Sequence, residues 1–200
     1  MRNKIALFDM DDTLCDYTGQ LLKDLKKIRS IYEPEVTLEQ IRECYDYIEQ
    51  RRHMITNQLG WFKNLPCYKP GREIMVLCAQ IGYDIGILTK GPQRKYNAWS
   101  EKVEWIHNNI GKDNIDGVTV CHDKSLVYAD VLVDDWPGYV EEWLKFRPRG
   151  LVIMPYHEHN KDFKHDNVIH FKSDMYSFNK TKLALEKQFA RKKDYTNKNN

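Results

Sequence analysis

The chain has 200 residues, of which 42% are hydrophobic and 30% charged, a composition typical of a globular domain and unlike that of a disordered, collagenous or repeat protein. Its 31 Lys and Arg side chains slightly outnumber its 29 Asp and Glu side chains, and residues 180–200 carry seven basic but only two acidic ones. Because the remainder is mildly acidic, it lacks the basic face of a nucleic-acid-binding protein, and we expect no stable nucleic-acid complex.

The N-terminal third of the sequence predicts one strand followed by a helical insertion. The apolar run Lys4–Phe8 is the strand, and Tyr17–Tyr32 and Thr37–Arg52 have the pattern of amphipathic helices, the second with Thr37 at its N-cap. Gly60–Gly71, which contains several turn residues, leads back to the main domain. This segment is longer than one crossover helix needs, so we predict that residues 17–71 form a small helical cap.

The rest of the chain alternates between short apolar runs and helical patterns. The predicted helices are Arg72–Ile81, Lys95–Ile110 and Gly138–Phe146, and the further predicted strands are Asp84–Leu88, Val118–Cys121, Val131–Val133 and Leu151–Met154. Continuous apolar runs separated by helices are typical of buried parallel strands. We therefore predict a Rossmann-like α/β core formed by residues 1–16 and 72–179, and a basic C-terminal helix and tail over residues 180–200.

Two features bear on the compartment of the protein. Met1–Phe8 lacks the apolar core of a signal peptide, and no apolar run approaches the ~18 residues of a membrane span. The five cysteines are scattered without a C-x-x-C pair, which is more typical of reduced thiols than of disulfides or a zinc site. We therefore expect a cytoplasmic protein that does not associate with membranes.

Carboxylates, a hydroxyl group and lysines follow the predicted strands, at the sheet edge where α/β proteins bind ligands. They are Asp9 and Asp11 after the first strand, Thr89 and Lys90 in the second segment, Lys124 after the third strand, and Asp134 and Asp135 after the fourth. Carboxylates gathered at one edge raise one another's pKa values unless a cation lies among them. Mg²⁺ suits such oxygen ligands, and a carboxylate can itself be the nucleophile in phosphoryl transfer.

In their order along the chain, these motifs resemble those of the haloacid dehalogenase superfamily of phosphatases. The matching segments are Phe8-Asp-Met-Asp-Asp-Thr13 (D-x-D-x-T), Ile87-Leu-Thr89, Asp123-Lys124 and Val131-Leu-Val-Asp-Asp135. Within that superfamily, the segment Gly60-Trp-Phe-Lys-Asn-Leu-Pro66 further resembles the cytosolic 5′(3′)-deoxyribonucleotidases. The resemblance covers about residues 3–155, and it implies a Mg²⁺-dependent phosphatase for nucleoside monophosphates.

The resemblance also implies a role for each residue. Asp9 would attack the phosphoryl group, Asp11 would act as acid and then base, and Thr89 and Lys124 would contact the phosphoryl oxygens. Mg²⁺ would be held by the Asp9 carboxylate, the Asp11 backbone carbonyl and one or both of Asp134 and Asp135. The substrate-binding residues would be Tyr17, Trp61, Phe62 and Lys90, the aromatic ones as a stacking surface for a base.

The sequence departs from the nucleotidase pattern at two positions and leaves alternative functions open. Asp12 stands where that family usually has Gly, and Lys90 stands where it has a small hydroxyl residue. The alternatives are a phosphatase for polynucleotide 3′ ends or sugar phosphates, and a phospho-ligand-binding module without turnover. The oligomeric state also stays open, with a homodimer as one option.

Several other residues have a structural interpretation. We favour Lys124 over Lys95 and Lys102 as the lysine of the site, because the other two fall on a helix that could be solvated. Residues 157–159 (His-Glu-His) are interpreted as a surface loop. Four tryptophans, Trp99, Trp105, Trp136 and Trp143, are interpreted as packing residues.

Overall fold

The computed structural model describes residues 4–43, 45–93 and 95–192. Six strands form one sheet in the order β3-β2-β1-β4-β5-β6, and every neighbouring pair is parallel. The strands are β1 (Ile5–Phe8), β2 (Asp84–Lys90), β3 (Gly117–Cys121), β4 (Val131–Val133), β5 (Leu151–Pro155) and β6 (Val168–Phe171). The predicted α/β class and the five predicted strands are confirmed. The sixth strand was not predicted, because β6 is short and contains a histidine.

Seven helices accompany the sheet within the described residues. They are α1 (Tyr17–Lys27), α2 (Leu38–Arg42), α3 (Asp46–Thr56), α4 (Lys69–Ile81), α5 (Tyr96–Asn109), α6 (Pro137–Phe146) and α7 (Met175–Ala190). The first three lie between β1 and β2, as predicted for an inserted helical segment. None of the described helices has the length and apolar character needed to cross a bilayer.

Alternating side chains of the strands build two apolar layers, because successive residues of a strand point to opposite faces. On β1, Ala6 and Phe8 belong to the layer that also contains buried residues of α4, α5 and α7. Leu7 belongs to the smaller layer on the other face, beneath α6. Both faces of the sheet are therefore covered, which explains the continuous apolar runs of the sequence.

The inserted helices differ from the prediction at their ends. The first helix ends at Lys27 instead of Tyr32, and beyond it Glu33 accepts a hydrogen bond from the Ser30 backbone N–H at 3.2 Å, a local bond that competes with helix continuation. The segment predicted as one helix is divided into α2 and α3. Thr37 is the N-cap of α2, as predicted, and Asp46 begins α3, where an acidic side chain favours a new helix N-terminus.

The C-terminal helix is part of the helical layer over its described length. It begins at Met175, before the predicted boundary, and Leu185 is completely buried. The Tyr83 hydroxyl donates to the Leu185 backbone carbonyl at 2.8 Å, which fixes α7 beside the end of α4. Only the charged end of the predicted tail, residues 193–200, lies outside the described residues.

The order of the strands fixes the position of the site. The chain moves from β1 outward to β2 and β3, and then returns to place β4 on the other side of β1. At such a reversal of strand order, the loops after neighbouring strands diverge and leave a crevice at the carboxyl edge of the sheet. The residues that follow β1, β2 and β4 therefore meet in one place.

Candidate active site

Lys124 is the centre of a buried charge cluster at the carboxyl edge of the sheet. Its ammonium nitrogen lies 2.7 Å from Asp9 Oδ1 and 2.7 Å from Asp134 Oδ2, and its side chain is 1% exposed. A short 3-10 turn over Lys124–Leu126, capped by the Asp123 carboxylate, places this lysine after β3. Burial alone would lower the pKa of Lys124, but the charges of Asp134 and Asp9 outweigh it and raise that pKa.

Three carboxylates of this cluster lie close enough to bind one metal ion. Asp9, Asp134 and Asp135 are all buried, and each offers an oxygen within 4.8 Å of the others. Burial, together with the neighbouring carboxylates, raises the pKa of Asp9 to about 8 despite the opposing charge of Lys124, and burial also raises the pKa of Asp134. A single ammonium does not offset three buried carboxylates, so the donor set fits a hard divalent cation such as Mg²⁺.

Asp134 and Asp135 are held by different groups. The Trp136 backbone N–H donates to Asp134 Oδ1 at 3.0 Å, and the Thr13 hydroxyl donates to Asp135 Oδ1 at 3.0 Å. Neither side chain caps α6, since the N-cap of α6 is Trp136 and no side-chain capping bond is formed there. Both side chains are oriented toward the cluster.

A second buried lysine holds the other candidate catalytic carboxylate. Lys102 Nζ, on α5, donates to Asp11 Oδ2 at 2.6 Å, to Thr89 Oγ1 at 3.1 Å and to the Lys90 backbone carbonyl at 3.1 Å. Its side chain is 1% exposed, so the interpretation of Lys102 as part of a solvated face is wrong. Its three-residue spacing from the buried Trp105 places both on the covered side of α5, a signal the sequence already contained.

The residue that departs from the nucleotidase pattern has a structural function. Asp12 has φ +53°, a left-handed conformation that glycine adopts more readily than other residues. The Asp12 carboxylate accepts hydrogen bonds from the Thr18 backbone N–H at 2.8 Å and from the Thr18 hydroxyl. These bonds tie the loop after β1 to the start of α1. Burial and the charge of Asp135 raise the pKa of Asp12 to about 7.

The two histidines predicted to lie in a surface loop contact the residues of the site instead, one through a carboxylate and the other through a backbone carbonyl. His159 Nε2 lies 2.9 Å from Asp135 Oδ2, and His157 Nε2 lies 2.6 Å from the Asp12 backbone oxygen. The two imidazole rings stack with centroids 5.1 Å apart. The turn after β5 brings them to the carboxyl edge of the sheet, because β5 neighbours β4. Sequence reasoning missed this, since nothing in the local sequence reveals that neighbour.

A cavity of about 540 Å³ opens above the carboxylates. Tyr17, Phe62 and Lys90, which were predicted to bind substrate, line it, as do Asp9, Asp11, Lys124 and Asp135. Trp61 lies one layer behind: it packs edge-on against Tyr17 and Phe62, and its indole N–H donates to Asp24 Oδ2 at 3.0 Å. Its predicted role as a stacking surface is therefore corrected to a supporting one.

The cavity also contains residues that the sequence did not single out for this role. Arg52 from α3, Lys95 before α5, and Tyr139 from α6 all line it, together with Trp136, which was predicted to be a packing residue and is 45% exposed. Trp105 and Trp143 are completely buried, as predicted. These lining residues come from separate elements, so no local motif groups them.

The parallel sheet, the inserted helices and the carboxylates at its edge define a haloacid dehalogenase-like hydrolase fold. The chain superposes on a haloacid dehalogenase-like family hydrolase from Xanthomonas campestris with a TM-score of 0.57 and 17% identity, covering 96% of this chain and 99% of the other. At this identity, the likeness concerns the fold alone.

The family follows from the sequence itself. Residues 3–180 match the model of the family described as 5′ nucleotidase, deoxy (pyrimidine), cytosolic type C protein, and the chain belongs to this family. It is accordingly a phosphoric monoester hydrolase of the 5′-nucleotidase type. A Bordetella pertussis protein provisionally named 5′(3′)-deoxyribonucleotidase is 27% identical over 79% of this chain and 86% of its own length. The human 5′(3′)-deoxyribonucleotidase, cytosolic type, is 26% identical over 67% of this chain and 71% of its own length.

Proposed function

We propose that the protein releases phosphate from ribo- or deoxyribonucleoside monophosphates, with Asp9 as the nucleophile. The observation that carries this proposal is the position of the Asp9 carboxylate, 2.7 Å from Lys124 Nζ at the base of a cavity lined by aromatic rings. The names of the human and Bordetella relatives support the substrate class. The name of the human relative also supports a cytosolic location.

The proposed reaction has two steps. In the first, an Asp9 carboxylate oxygen attacks phosphorus, the bond from phosphorus to the nucleoside oxygen breaks, and Asp11 donates a proton to that leaving oxygen. In the second, water attacks the phosphorus of the aspartyl-phosphate and Asp11 accepts its proton, which releases phosphate and restores Asp9. The two aspartates, two residues apart after β1, can act on opposite sides of the same phosphoryl group.

The buried lysines support these roles electrostatically. Lys124 contacts Asp9 directly, and its charge stabilises the negative charge that accumulates as the phosphoryl group is transferred. Lys102 holds Asp11 at 2.6 Å and also contacts Thr89, so that the acid–base carboxylate and the Thr89 hydroxyl keep fixed positions. Both lysines are almost fully buried, which strengthens their interaction with charge.

Mg²⁺ would be held by the carboxylates of Asp9, Asp134 and Asp135 and by the Asp11 backbone carbonyl. When bound, it supplies positive charge to the non-bridging phosphoryl oxygens. His159 and Thr13 keep the Asp135 carboxylate in position through their contacts with its two oxygens. The proposed metal site therefore has an ordered set of supporting contacts.

The wall of the cavity would bind the nucleoside. Tyr17 and Phe62 have ring centroids 6.2 Å apart and ring planes inclined by 30°, and both line the cavity. A base stacked on this aromatic surface would leave its sugar phosphate directed toward Asp9. Lys90, at the end of β2, would contact the phosphoryl group in place of the small hydroxyl residue usual in the family.

The experiment that tests the proposal measures phosphate release from a panel of ribo- and deoxyribonucleoside 5′- and 3′-monophosphates, with Mg²⁺ and with EDTA. We expect metal-dependent release concentrated on a few nucleotides, and none from Asp9→Asn. Activity on an aryl phosphate alone would contradict the nucleotide substrate, and nucleotide binding without release would favour a module that lacks turnover. Appreciable activity of purified Asp9→Asn would contradict the mechanism.

A further inference from the structure

Two lysine ammonium groups at the cavity form no ion pair within the described part of the chain. Lys90 Nζ donates to the Tyr139 hydroxyl at 3.0 Å, and Lys95 Nζ donates to the Thr56 hydroxyl. Both side chains are partly buried. A partly buried ammonium that donates to a neutral hydroxyl is poorly compensated in charge, which is the situation expected where an anion is to bind.

Lys95 lies beside a second cation. The Thr56 hydroxyl that accepts from Lys95 donates in turn to the Arg52 backbone carbonyl at 2.8 Å. Burial and the positive charge of Arg52 lower the pKa of Lys95. Like charges held together repel each other, and a bound anion would relieve that repulsion.

The acidic neighbour of this pair compensates only part of its charge. Glu49 Oε2 lies 3.2 Å from Arg52 Nη1, and Glu49 Oε1 lies 3.3 Å from His53 Nε2. The Arg52 Nε–H donates to the Tyr17 hydroxyl at 3.0 Å. One carboxylate therefore faces two permanent cations, Arg52 and Lys95, and the pair keeps an excess of positive charge.

An aromatic surface connects this pair to the carboxylates of the site. Lys102 Nζ, which holds Asp11, lies 5.4 Å from the Phe62 ring centroid, and the Tyr17 and Phe62 ring centroids are 6.2 Å apart. The Arg52 guanidinium lies 5.7 Å from the Tyr17 ring centroid. The cavity thus presents a phosphoryl site, a stacking surface and a cationic pair.

We propose that Arg52 and Lys95 form a subsite for a second phosphate group, so that the preferred substrates carry two, as a nucleoside 3′,5′-bisphosphate does. An arginine and a lysine together suit a phosphate because the guanidinium donates in a planar fork and the ammonium adds a point charge. This inference rests on the proposed function, since it assumes that the first phosphate lies at Asp9.

The test compares kcat/KM for a deoxynucleoside 3′,5′-bisphosphate with that for the 5′-monophosphate of the same base. We expect the bisphosphate to be preferred at least about tenfold, the factor that one charge-assisted hydrogen bond supplies. Arg52→Gln and Lys95→Gln should each reduce that ratio. Arg51→Gln is the matched control, because Arg51 lies on the same helix, pairs with Glu33 and does not line the cavity.

A binding measurement keeps the two proposals distinguishable. Calorimetric titration of Asp9→Asn with the same two ligands measures how much the second phosphate contributes to affinity, without requiring turnover. We expect the bisphosphate to bind more tightly than the monophosphate. If the protein hydrolyses monophosphates but binds both ligands with equal affinity, the second-phosphate subsite is overturned and the proposed function stands. The same conclusion follows if Arg52→Gln changes the preference among bases and leaves the ratio of bisphosphate to monophosphate unchanged. Preference for a 5′-phosphorylated dinucleotide over the bisphosphate would support the subsite and identify its occupant as a phosphodiester.

Discussion

The floor of the cavity is made by residues that directly follow parallel strands, whereas its wall is made by side chains from helices far apart in the chain. On the floor, the register of β1 with β4 brings Asp9 and Asp134 to the same edge. On the wall, Arg52, Phe62 and Lys95 meet only because α3, a 3-10 turn and the start of α5 pack together. The pairing of the strands thus positions the carboxylates of the floor, and the packing of the helices determines the shape and charge of the wall that would bind the substrate.

The largest expected effect concerns the floor. Asp11→Asn removes the proposed acid and base, so kcat on nucleotides should fall by about 10²–10⁴, the usual contribution of such a group. An aryl phosphate with a good leaving group needs less protonation, and its first step should be affected less. Equal losses on both substrates in single-turnover measurements of that step would contradict the role of Asp11 as an acid.

Lys124 should matter for stability as well as for activity. Lys124→Met leaves Asp9 and Asp134 without their buried counter-charge, so the free energy of unfolding should fall by about 3–5 kcal/mol. Urea denaturation measures this change. Lys145→Met is the control, since Lys145 forms an exposed pair with Glu142 and should change stability by less than about 1 kcal/mol. A similar loss for the two variants would show that the buried cluster is not as described.

The acidic floor also predicts a pH dependence of stability for the metal-free protein. Because burial raises the pKa of Asp9 from 3.8 to about 8, the folded state holds a proton that the unfolded chain releases, and stability falls as pH rises through that interval. Asp9→Asn removes this penalty, so in EDTA it should stabilise the protein by roughly 2–5 kcal/mol near pH 8 and much less near pH 4.

Thermal unfolding near pH 8 and near pH 4 tests whether Asp9→Asn stabilises the metal-free protein as expected. Asp113→Asn, a change at an exposed aspartate on the surface, is the control and should have little effect at either pH. Mg²⁺ should raise the melting temperature of the natural protein near pH 8, and Asp9→Asn should respond less. A destabilised Asp9→Asn near pH 8 would contradict the buried, unfavourable charge.

The smallest expected effect is on substrate binding at the cavity wall, and it distinguishes the role of Tyr17 from that of Trp61. Tyr17→Ala should raise KM for nucleotides by about fivefold while changing KM for an aryl phosphate less, since a lost stacking contact is worth about 1 kcal/mol. Trp61→Ala, one layer behind, should instead lower stability by about 3–5 kcal/mol with a smaller change in KM. If Trp61→Ala instead raised KM and Tyr17→Ala instead lowered stability, Trp61 would be the substrate contact.

The same contrast explains how much of the molecule could be predicted from its sequence. The first five strands and the floor residues could be, because each of those strands contains a mainly apolar run and the floor residues lie in the segments that follow them. His159 could not, because its contact with Asp135 depends on β5 lying next to β4. Lys102 was misjudged although its spacing from Trp105 indicates the covered side of α5, because a lysine on a helix is most often exposed to solvent.

The inserted helices were predicted as a segment but not in detail. The break between α2 and α3 depends on short-range preferences that are weak compared with tertiary packing. The distinction between Phe62, which faces the cavity, and Trp61, which packs behind it, depends on a 3-10 turn over Phe62–Asn64. Neighbouring aromatic residues in a sequence do not reveal which of them a turn will direct inward.

The most direct test of the account is to trap the phosphorylated enzyme. Under single-turnover conditions with a labelled deoxynucleoside 5′-monophosphate, acid quenching and peptide mass spectrometry should find the phosphoryl group on Asp9. The modification should be absent in Asp9→Asn and should persist longer in Asp11→Asn, where water is activated poorly. Phosphate release at the full rate with no modification of Asp9, or with the phosphoryl group on another residue, would contradict the mechanism.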